Sequence, residues 1–206
     1  MLPRLHIVTD DEILGTTGFV LRASTLVREF GSRIAIHLRS RSAGGGRLYE
    51  IAANLGQHAD AFIVINDRVD VARVAGAQAV QLPAASLPIE IVREQLPGVL
   101  IGKSVHAAGE GIPAVQAGAD FLVAGSIYAS GTHPAATPQG SALIHALRGC
   151  GAPVLAIGGI DASRIVECMN AGAYGVAVIR AVWQARDPVV AAAELVERIE
   201  QSRVNP

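Results

Sequence analysis

The sequence predicts an α/β fold, a single (β/α)8 TIM barrel formed by one domain over residues 1–206. Short apolar runs alternate with amphipathic stretches, eight of each, which favours parallel strands joined by helical crossovers. Half of the residues are hydrophobic and only 4% are aromatic, as is typical of buried parallel strands. Eight units of about 25 residues fit a closed barrel better than an open, flavodoxin-like sheet, which is the alternative fold.

The predicted elements follow one another in strict order. Strands are predicted at 5–9, 34–38, 61–65, 79–82, 100–104, 121–124, 154–157 and 175–179. Helices are predicted at 20–30, 47–57, 69–75, 88–95, 111–117, 141–148, 163–170 and 188–201. Each loop that follows a strand therefore belongs to the end of the barrel where barrel enzymes carry their active sites.

Charge and composition narrow the class of partner. The formal net charge of −1 comes from 17 basic and 18 acidic residues spread along the chain, so no nucleic acid or anionic membrane is expected as a partner. No apolar run approaches the roughly 18 residues of a membrane span. Two cysteines are too few for a disulfide framework and fit a reducing cytoplasm. We therefore expect a soluble, cytoplasmic protein that binds a small molecule.

Polar residues at the carboxyl ends of the predicted strands are the candidates for function. In chain order these are Thr9, Asp10, His37, Arg39, Arg41, Asn66, Asp67, Gln81, Lys103, Ser104, His106, Ser126, Ser130, Thr132, His133, Gly158, Gly159 and Arg180. The set is rich in Arg, Lys, His, Ser and Thr, and such donors suit an anionic substrate.

A glycine pair predicts a phosphate site. Gly158 and Gly159 follow a strand directly and precede a helix, so their backbone N–H groups can approach an anion. The end of strand eight completes this site with Val178, Ile179 and Arg180. The alternative is a tight turn followed by an ordinary helix cap.

Two further segments predict ligand contacts. Arg39 and Arg41 alternate at the end of strand two, where both would point the same way and clamp a phosphate or carboxylate; a solvated surface pair is the alternative. Asn66 and Asp67 follow strand three and would contact ligand, unless Asp67 only caps the next helix.

At these positions the sequence resembles the thiamin phosphate synthase superfamily over nearly the whole chain. The matching segments are 64–70, 101–106, 118–121, 156–160 and 171–178. The resemblance implies a (β/α)8 barrel that binds a phosphorylated thiazole, with its phosphate held by the glycine pair and the end of strand eight. The resemblance is also compatible with a homodimer. Gln81, Ser104, Ser130 and Thr132 fall on segments that would contact the substrate.

The superfamily has two main branches, and the sequence departs from both. The synthase branch joins a pyrimidine pyrophosphate to thiazole phosphate with Mg²⁺, but here Ser86 stands where its second metal-binding Asp is expected, leaving Asp67 alone. The TenI branch resembles a metal-free thiazole tautomerase, and segments 81–86 and 103–106 are more like it. Its proposed catalytic His, however, corresponds to Ser126.

The combination favours a TenI-like thiazole tautomerase that moves a proton without any cofactor. The candidate catalytic residues are His133, His37, Ser126 and Lys103. His133 or His37 would supply the missing base, because a pKa near neutrality suits proton transfer. The alternatives are a synthase that uses Mg²⁺, with Asp67 as its one metal ligand, and a non-catalytic protein that binds thiazole or thiamin phosphate.

Overall fold

The eight strands close into a barrel. In the computed structural model, which describes residues 1–131 and 137–202, parallel strands pair in the order β1 to β8, and β8 pairs back to β1. The strands are β1 Leu5–Val8, β2 Ile34–Leu38, β3 Ile63–Asn66, β4 Ala79–Leu82, β5 Leu100–Val105, β6 Phe121–Ala124, β7 Val154–Ile157 and β8 Gly175–Val178. The predicted (β/α)8 barrel is confirmed.

The helices surround this barrel. They are α1 Asp11–Gly15, α2 Phe19–Phe30, α3 Gly45–Leu55, α4 Val69–Ala75, α5 Ile89–Gln95, α6 Gly111–Gln116, α7 Gly140–Ala146, α8 Ile165–Asn170, α9 Arg180–Trp183 and α10 Pro188–Gln201. The sequence does not predict α1 and α9, because helices of five and four residues are too short to show a helical period. Within the described part of the chain, no helix is both long and apolar enough to cross a membrane.

The outer core lies between the helices and the barrel. In α2 the buried residues Phe19, Ala23, Leu26 and Phe30 recur every three or four positions and face the strands. The ring of Phe19 packs 5.2 Å from that of Trp183 in α9, measured between ring centroids. The Trp183 indole N–H donates a 3.0 Å hydrogen bond to the Val8 carbonyl. The short α9 therefore ties the last unit of the barrel to the first.

The inside of the barrel has its own apolar core. Strand alternation directs Ala35, Val64, Phe121 and similar residues inward, where they form a cluster separate from the outer core. Gly102 in β5 leaves room for the Phe121 ring and the Gln81 side chain, since a Cβ at this position would overlap both. These two side chains fill the bore beneath the carboxyl ends of the strands.

Candidate functional site

A cavity of about 470 Å³ opens at the carboxyl ends of the strands. This volume lies within the usual range for small-molecule sites. Thirteen of the predicted site residues line it: His37, Arg39, Asn66, Gln81, Ser104, His106, Ser126, Ser130, Gly158, Gly159, Val178, Ile179 and Arg180. Thr132 and His133 lie outside the described residues. The fold thus brings most of the sequence-predicted residues to one place.

The glycine pair after β7 has a backbone conformation that only glycine takes readily. The φ angles of Gly158 and Gly159 are 108° and 62°. A Cβ at Gly159 would overlap the Ala129 carbonyl oxygen and lie 3.0 Å from Cβ of Tyr128. Within the described residues the Gly159 N–H has no acceptor. The glycine pair therefore exposes backbone N–H groups at the wall of the cavity, as an anion site requires.

Side chains on both sides hold this glycine turn in place. Asp161 accepts a 3.0 Å hydrogen bond from the Ser163 N–H, so the predicted cap is present alongside the cavity-lining glycines. Arg164 donates to the Gly159 carbonyl and lies over the Tyr128 ring, 4.4 Å from its centroid. The turn is thereby fixed without using its own N–H groups.

Arg180 brings positive charge to the same side of the cavity. It begins α9, directly after Ile179, and lines the cavity. Its guanidinium packs against the Cα of Gly131, where a Cβ would overlap it. The loop after β6 and the end of β8 therefore meet at this side chain.

Arg39 and Arg41 do not form the predicted pair. Arg39 lines the cavity and is partly buried, and this burial, followed by the charge of Arg41, lowers its pKa. Arg41 is exposed and lies outside the cavity, so the prediction that both point the same way is wrong. The reason is that β2 ends at Leu38, and strand alternation does not extend into the loop beyond it.

The loop that carries these arginines is fixed by Asp11. Asp11 in α1 accepts hydrogen bonds from the Ser40 hydroxyl, the Ser42 hydroxyl at 2.8 Å and the Arg41 N–H at 3.0 Å. These bonds, first those of Ser40 and Ser42, lower the pKa of Asp11 to about 2. The unpredicted α1 therefore positions the end of β2.

Asp67 stands at the rim rather than in the cavity. It has a φ of 63°, unusual for a residue other than glycine. Its Oδ1 accepts a 2.7 Å hydrogen bond from the Ser86 hydroxyl, and the N-cap of α4 is Arg68, so Asp67 is not the helix cap. In the described residues no group of three His, Cys, Asp or Glu side chains could hold a metal.

Lys103 is not placed for catalysis, contrary to the sequence-based prediction. Its Nζ donates to the carbonyls of Pro83 at 2.7 Å and Ala84 at 3.0 Å, outside the cavity. Burial lowers its pKa, opposed by the charges of Asp67 and Glu110. By donating hydrogen bonds to these two carbonyls, the Lys103 ammonium group holds the loop that carries Ser86 in position.

A chain of three side chains crosses the barrel interior. His6 Nδ1 lies 2.6 Å from His37 Nε2, and His37 Nδ1 lies 3.1 Å from the Asn66 amide oxygen. Desolvation lowers the pKa of His6 well below its usual value and that of His37 to about 4. Sequence reasoning missed His6, although a histidine inside an otherwise apolar strand was a visible signal.

His106 is one of the polar strand-end residues that the sequence singles out as candidates for function. It lines the cavity, and its Nδ1 donates to the Gly125 carbonyl, which leaves Nε2 as the acceptor in the neutral ring. The His106 N–H donates to Glu110 Oε2 at 2.7 Å. Ser126 lines the cavity beside it. His106 therefore supplies a positioned imidazole nitrogen in the cavity, although Ser126 stands where the TenI branch has its proposed catalytic histidine.

Comparison with known proteins assigns the family. The family model described as thiamine monophosphate synthase matches residues 5–182. The chain belongs to the thiamine monophosphate synthase family. A thiamine-phosphate synthase of Pyrococcus abyssi is 33% identical over 202 residues, covering 96% of this chain and 95% of the relative. That of Chloroflexus aurantiacus is 34% identical over 197 residues, covering 93% and 90%.

Solved structures agree with this assignment. A thiamine phosphate pyrophosphorylase from Pyrococcus furiosus superposes with a TM-score of 0.82 at 32% identity, covering 98% of this chain and 96% of that one. A 3-hexulose-6-phosphate synthase, at 19% identity and a TM-score of 0.71, shares the fold alone. Membership of the thiamine monophosphate synthase family places the chain in thiamin biosynthesis. The names of these relatives favour the synthase alternative over the TenI-like tautomerase.

Proposed function

We propose that this chain is a transferase that joins a pyrimidine pyrophosphate to a phosphorylated thiazole. The names of its relatives support this reaction, and so does the cavity itself. Cationic or N–H donors approach the cavity from two sides: Arg39 beyond β2, and Gly159 with Arg180 beyond β7 and β8. Val8 at the end of β1 lies between these sides. The arrangement provides separate places for two anionic groups, which is the observation that carries the proposal.

Each side has a distinct role in this proposal. The bare N–H groups of the glycine turn, with Arg180, bind the thiazole phosphate. Arg39 and the Asn66 amide bind the pyrophosphate. A guanidinium matches phosphate oxygens with paired donors and stays charged when partly buried, so Arg39 offsets charge on the departing pyrophosphate.

The residues present fit a Mg²⁺ ion that carries most of its ligands from the substrate. Mg²⁺ prefers oxygen ligands and is usually held by one or two carboxylates together with substrate phosphates. Asp67 supplies one exposed carboxylate, and the Ser86 hydroxyl lies 2.7 Å from it. These two side chains would hold the ion. When bound, Mg²⁺ neutralises charge on the pyrophosphate.

One specific observation favours a second candidate function, thiazole tautomerisation. The hydrogen bond to Gly125 orients His106 so that Nε2, which no other described residue hydrogen-bonds, can accept a proton in a cavity sized for the same phosphorylated ligand. Tautomerisation needs a positioned base and no metal, so a hydroxyl rather than a carboxylate as the partner of Asp67 is no obstacle to it.

Product identification separates these functions. We expect thiamin phosphate and pyrophosphate when the protein is incubated with thiazole phosphate, pyrimidine pyrophosphate and Mg²⁺. A parallel incubation with thiazole carboxylate phosphate alone tests the tautomerase. Isomerised thiazole in the second reaction, with no joined product in the first, would replace the proposed transferase by the tautomerase. No product in either, with ligand binding retained, would point to a binding protein.

A further inference from the structure

The buried chain from Pro3 to Asn66 consists of three hydrogen bonds with an acceptor at each end. His6 Nε2 lies 3.0 Å from the Pro3 carbonyl oxygen, and His6 Nδ1 lies 2.6 Å from His37 Nε2. His37 Nδ1 lies 3.1 Å from the Asn66 amide oxygen. The imidazoles of His6 and His37, here called the histidine pair, are 0% and 1% exposed, so water does not complete these bonds.

Counting protons shows that this chain is one proton short. Each of the three hydrogen bonds needs one proton, and a carbonyl oxygen supplies none. Two neutral imidazoles supply two protons. The chain is completed either by a third proton on the histidine pair or by rotation of the Asn66 amide, which turns its NH₂ group towards His37. The charge of the pair and the orientation of Asn66 are therefore coupled.

The two states present different atoms of Asn66 to the cavity, which this residue lines. With a protonated pair, the amide oxygen accepts from His37 and the amide nitrogen is left as a donor for a ligand. With a neutral pair, the amide nitrogen donates to His37 and the oxygen faces the ligand. An anion binds a donor and repels an acceptor, so it favours the protonated state.

The surroundings allow this protonation to depend on the ligand. Desolvation dominates the lowered pKa of both histidines, and His37 alone of the described titratable groups adds a charge effect on His6. Phe121 packs against His6 from β6. The charged side chains that line the cavity are Arg39 beyond β2, Asp161 beyond β7 and Arg180 beyond β8, and none of them is among the causes of the lowered pKa of His6 or His37. An anion bound in the cavity favours a positive charge on the pair.

We infer that the histidine pair positions Asn66, taking up one proton when the pyrophosphate group binds and thereby turning the amide nitrogen towards it. His6 and His37 are positioning residues in this scheme, because they act on the substrate through Asn66. The inference rests on the proposed function, since it assumes that the pyrophosphate lies on the β2 and β3 side of the cavity.

The expected pH dependence follows from linkage. Binding that takes up a proton is favoured as the pH falls, with a limiting change of about tenfold in affinity per pH unit. This dependence holds between the pKa of the pair in the free protein and its higher pKa in the complex; below the first the pair is already charged, and above the second it stays neutral. For His37 that lower limit is a pH of about 4.

The test is calorimetric titration with inorganic pyrophosphate alone, in two buffers that differ in ionisation enthalpy, between pH 5 and pH 7 at roughly unit steps. The number of protons taken up on binding is compared between the wild-type protein and His6→Leu. The contribution from ionisation of pyrophosphate itself is the same in both and cancels. We expect the wild type to take up more protons than the variant, approaching one extra proton per pyrophosphate. The His6→Leu variant would leave a neutral His37 to donate from Nδ1 to Asn66, which needs no added proton.

A second variant keeps the test independent of how well a leucine side chain is tolerated inside the barrel. In His37→Gln, a neutral amide donates to Asn66 and cannot be protonated, so pyrophosphate binds without the extra uptake. Histidine ¹⁵N spectra of the wild type should show one ring with both nitrogens protonated only after pyrophosphate is added. In steady-state assays between pH 6 and pH 7, KM for the pyrimidine pyrophosphate should rise more steeply with pH in the wild type than in His6→Leu, with little difference in kcat.

The outcomes distinguish this inference from the proposed function. Pyrophosphate binding with the same proton uptake in the wild type and both variants overturns the inference and leaves the transferase intact. Failure of the wild type to bind pyrophosphate overturns both. Extra uptake confined to the wild type, without formation of a joined product, supports the positioning role and removes the proposed reaction.

Discussion

The Ser86 hydroxyl donates a 2.7 Å hydrogen bond to Oδ1 of Asp67 at the rim of the cavity. Lys103 holds the loop that carries Ser86 through the Pro83 and Ala84 carbonyls, so the pairing of hydroxyl and carboxylate is a fixed feature of the rim. It sets the strength of any metal site here, because a hydroxyl lacks the charge of a second carboxylate.

Metal affinity should therefore be weak in the wild type and respond to charge at position 86. We expect Ser86→Asp to tighten Mg²⁺ binding in the presence of pyrophosphate by about tenfold or more, since carboxylate number tunes such sites. Asp67→Asn should abolish binding, and Ser86→Ala serves as the uncharged control. Calorimetry measures all four proteins. Equal Mg²⁺ affinity in wild type and Asp67→Asn would show that the metal, if bound, lies elsewhere.

Phosphate binding should depend on Gly159 for geometric reasons. Gly159→Ala adds a Cβ that overlaps the Ala129 carbonyl and forces a residue with a side chain to φ 62°, at a cost of about 1–3 kcal/mol. We expect loss of thiazole phosphate binding in calorimetry. Gly149→Ala is the matched control, because Gly149 has a φ of 74° but no atom near its Cβ position. Similar phosphate affinity in both variants would remove the glycine turn from the site.

Arg180 should act through its position against Gly131. Gly131→Ala would displace the guanidinium, whose flexible end can move without unfolding the protein. We expect about tenfold weaker thiazole phosphate binding in Gly131→Ala and a larger loss in Arg180→Met, since each good charge-assisted hydrogen bond contributes about 1.5–3 kcal/mol. Binding titrations at two salt concentrations give both values. A full effect in Gly131→Ala with none in Arg180→Met would contradict this mechanism.

Stability should fall in mild acid because of His37. Its pKa is about 4 in the folded protein and near 6.5 when unfolded, so the unfolded state binds more protons between these values. The stability that this difference contributes is present above pH 6.5 and is lost as the pH falls towards 4. His37→Gln should flatten the dependence by an amount on the order of 3 kcal/mol. Urea unfolding across this pH range measures it, and parallel curves for the two proteins would refute the assignment.

If the protein also isomerises thiazole carboxylate phosphate, three histidines compete as the base. The structure favours His106, whose Nε2 has no hydrogen-bond partner among the described residues, over His37, whose low pKa makes it a weak base near neutrality. His133 lies outside the described residues and stays a sequence-based prediction. Replacing the working histidine by Ala should slow turnover about 10² to 10⁴-fold with a modest loss of affinity. Turnover that survives all three single replacements would exclude histidine catalysis.

The sequence predicted the fold and the general position of the site because both depend on periodic patterns. Eight alternating units place the ends of all strands on one side, so Gly159, Asn66 and Arg39 could be assigned to the same cavity from the pattern alone. The prediction for Arg41 failed although the end of strand two was predicted correctly at Leu38, because the alternation of a strand does not continue into the loop that follows it. That for Lys103 failed because its partners are backbone carbonyls, which have no sequence signature.

The histidine pair shows another limit of sequence reasoning. His6 and His37 are 31 positions apart, and their contact follows from the register in which His6 pairs with Ala35 and Val8 with His37. A sequence pattern shows two histidines in apolar strands but not the register that brings their rings together inside the barrel. The proton deficit of the chain appears only once Pro3 and Asn66 are also in place.

The Phe121 and Gln81 side chains pack over Gly102 and fill the interior of the barrel beneath the cavity. The cavity is therefore closed at its inner end. Everything that binds must enter and leave through the mouth at the carboxyl ends of the strands. Where one substrate of the proposed transferase lies beneath the other in such a cavity, the deeper one must bind first. A dead-end analogue of the outer substrate should then trap the inner one, and exchange of a labelled inner ligand should slow as the analogue concentration rises.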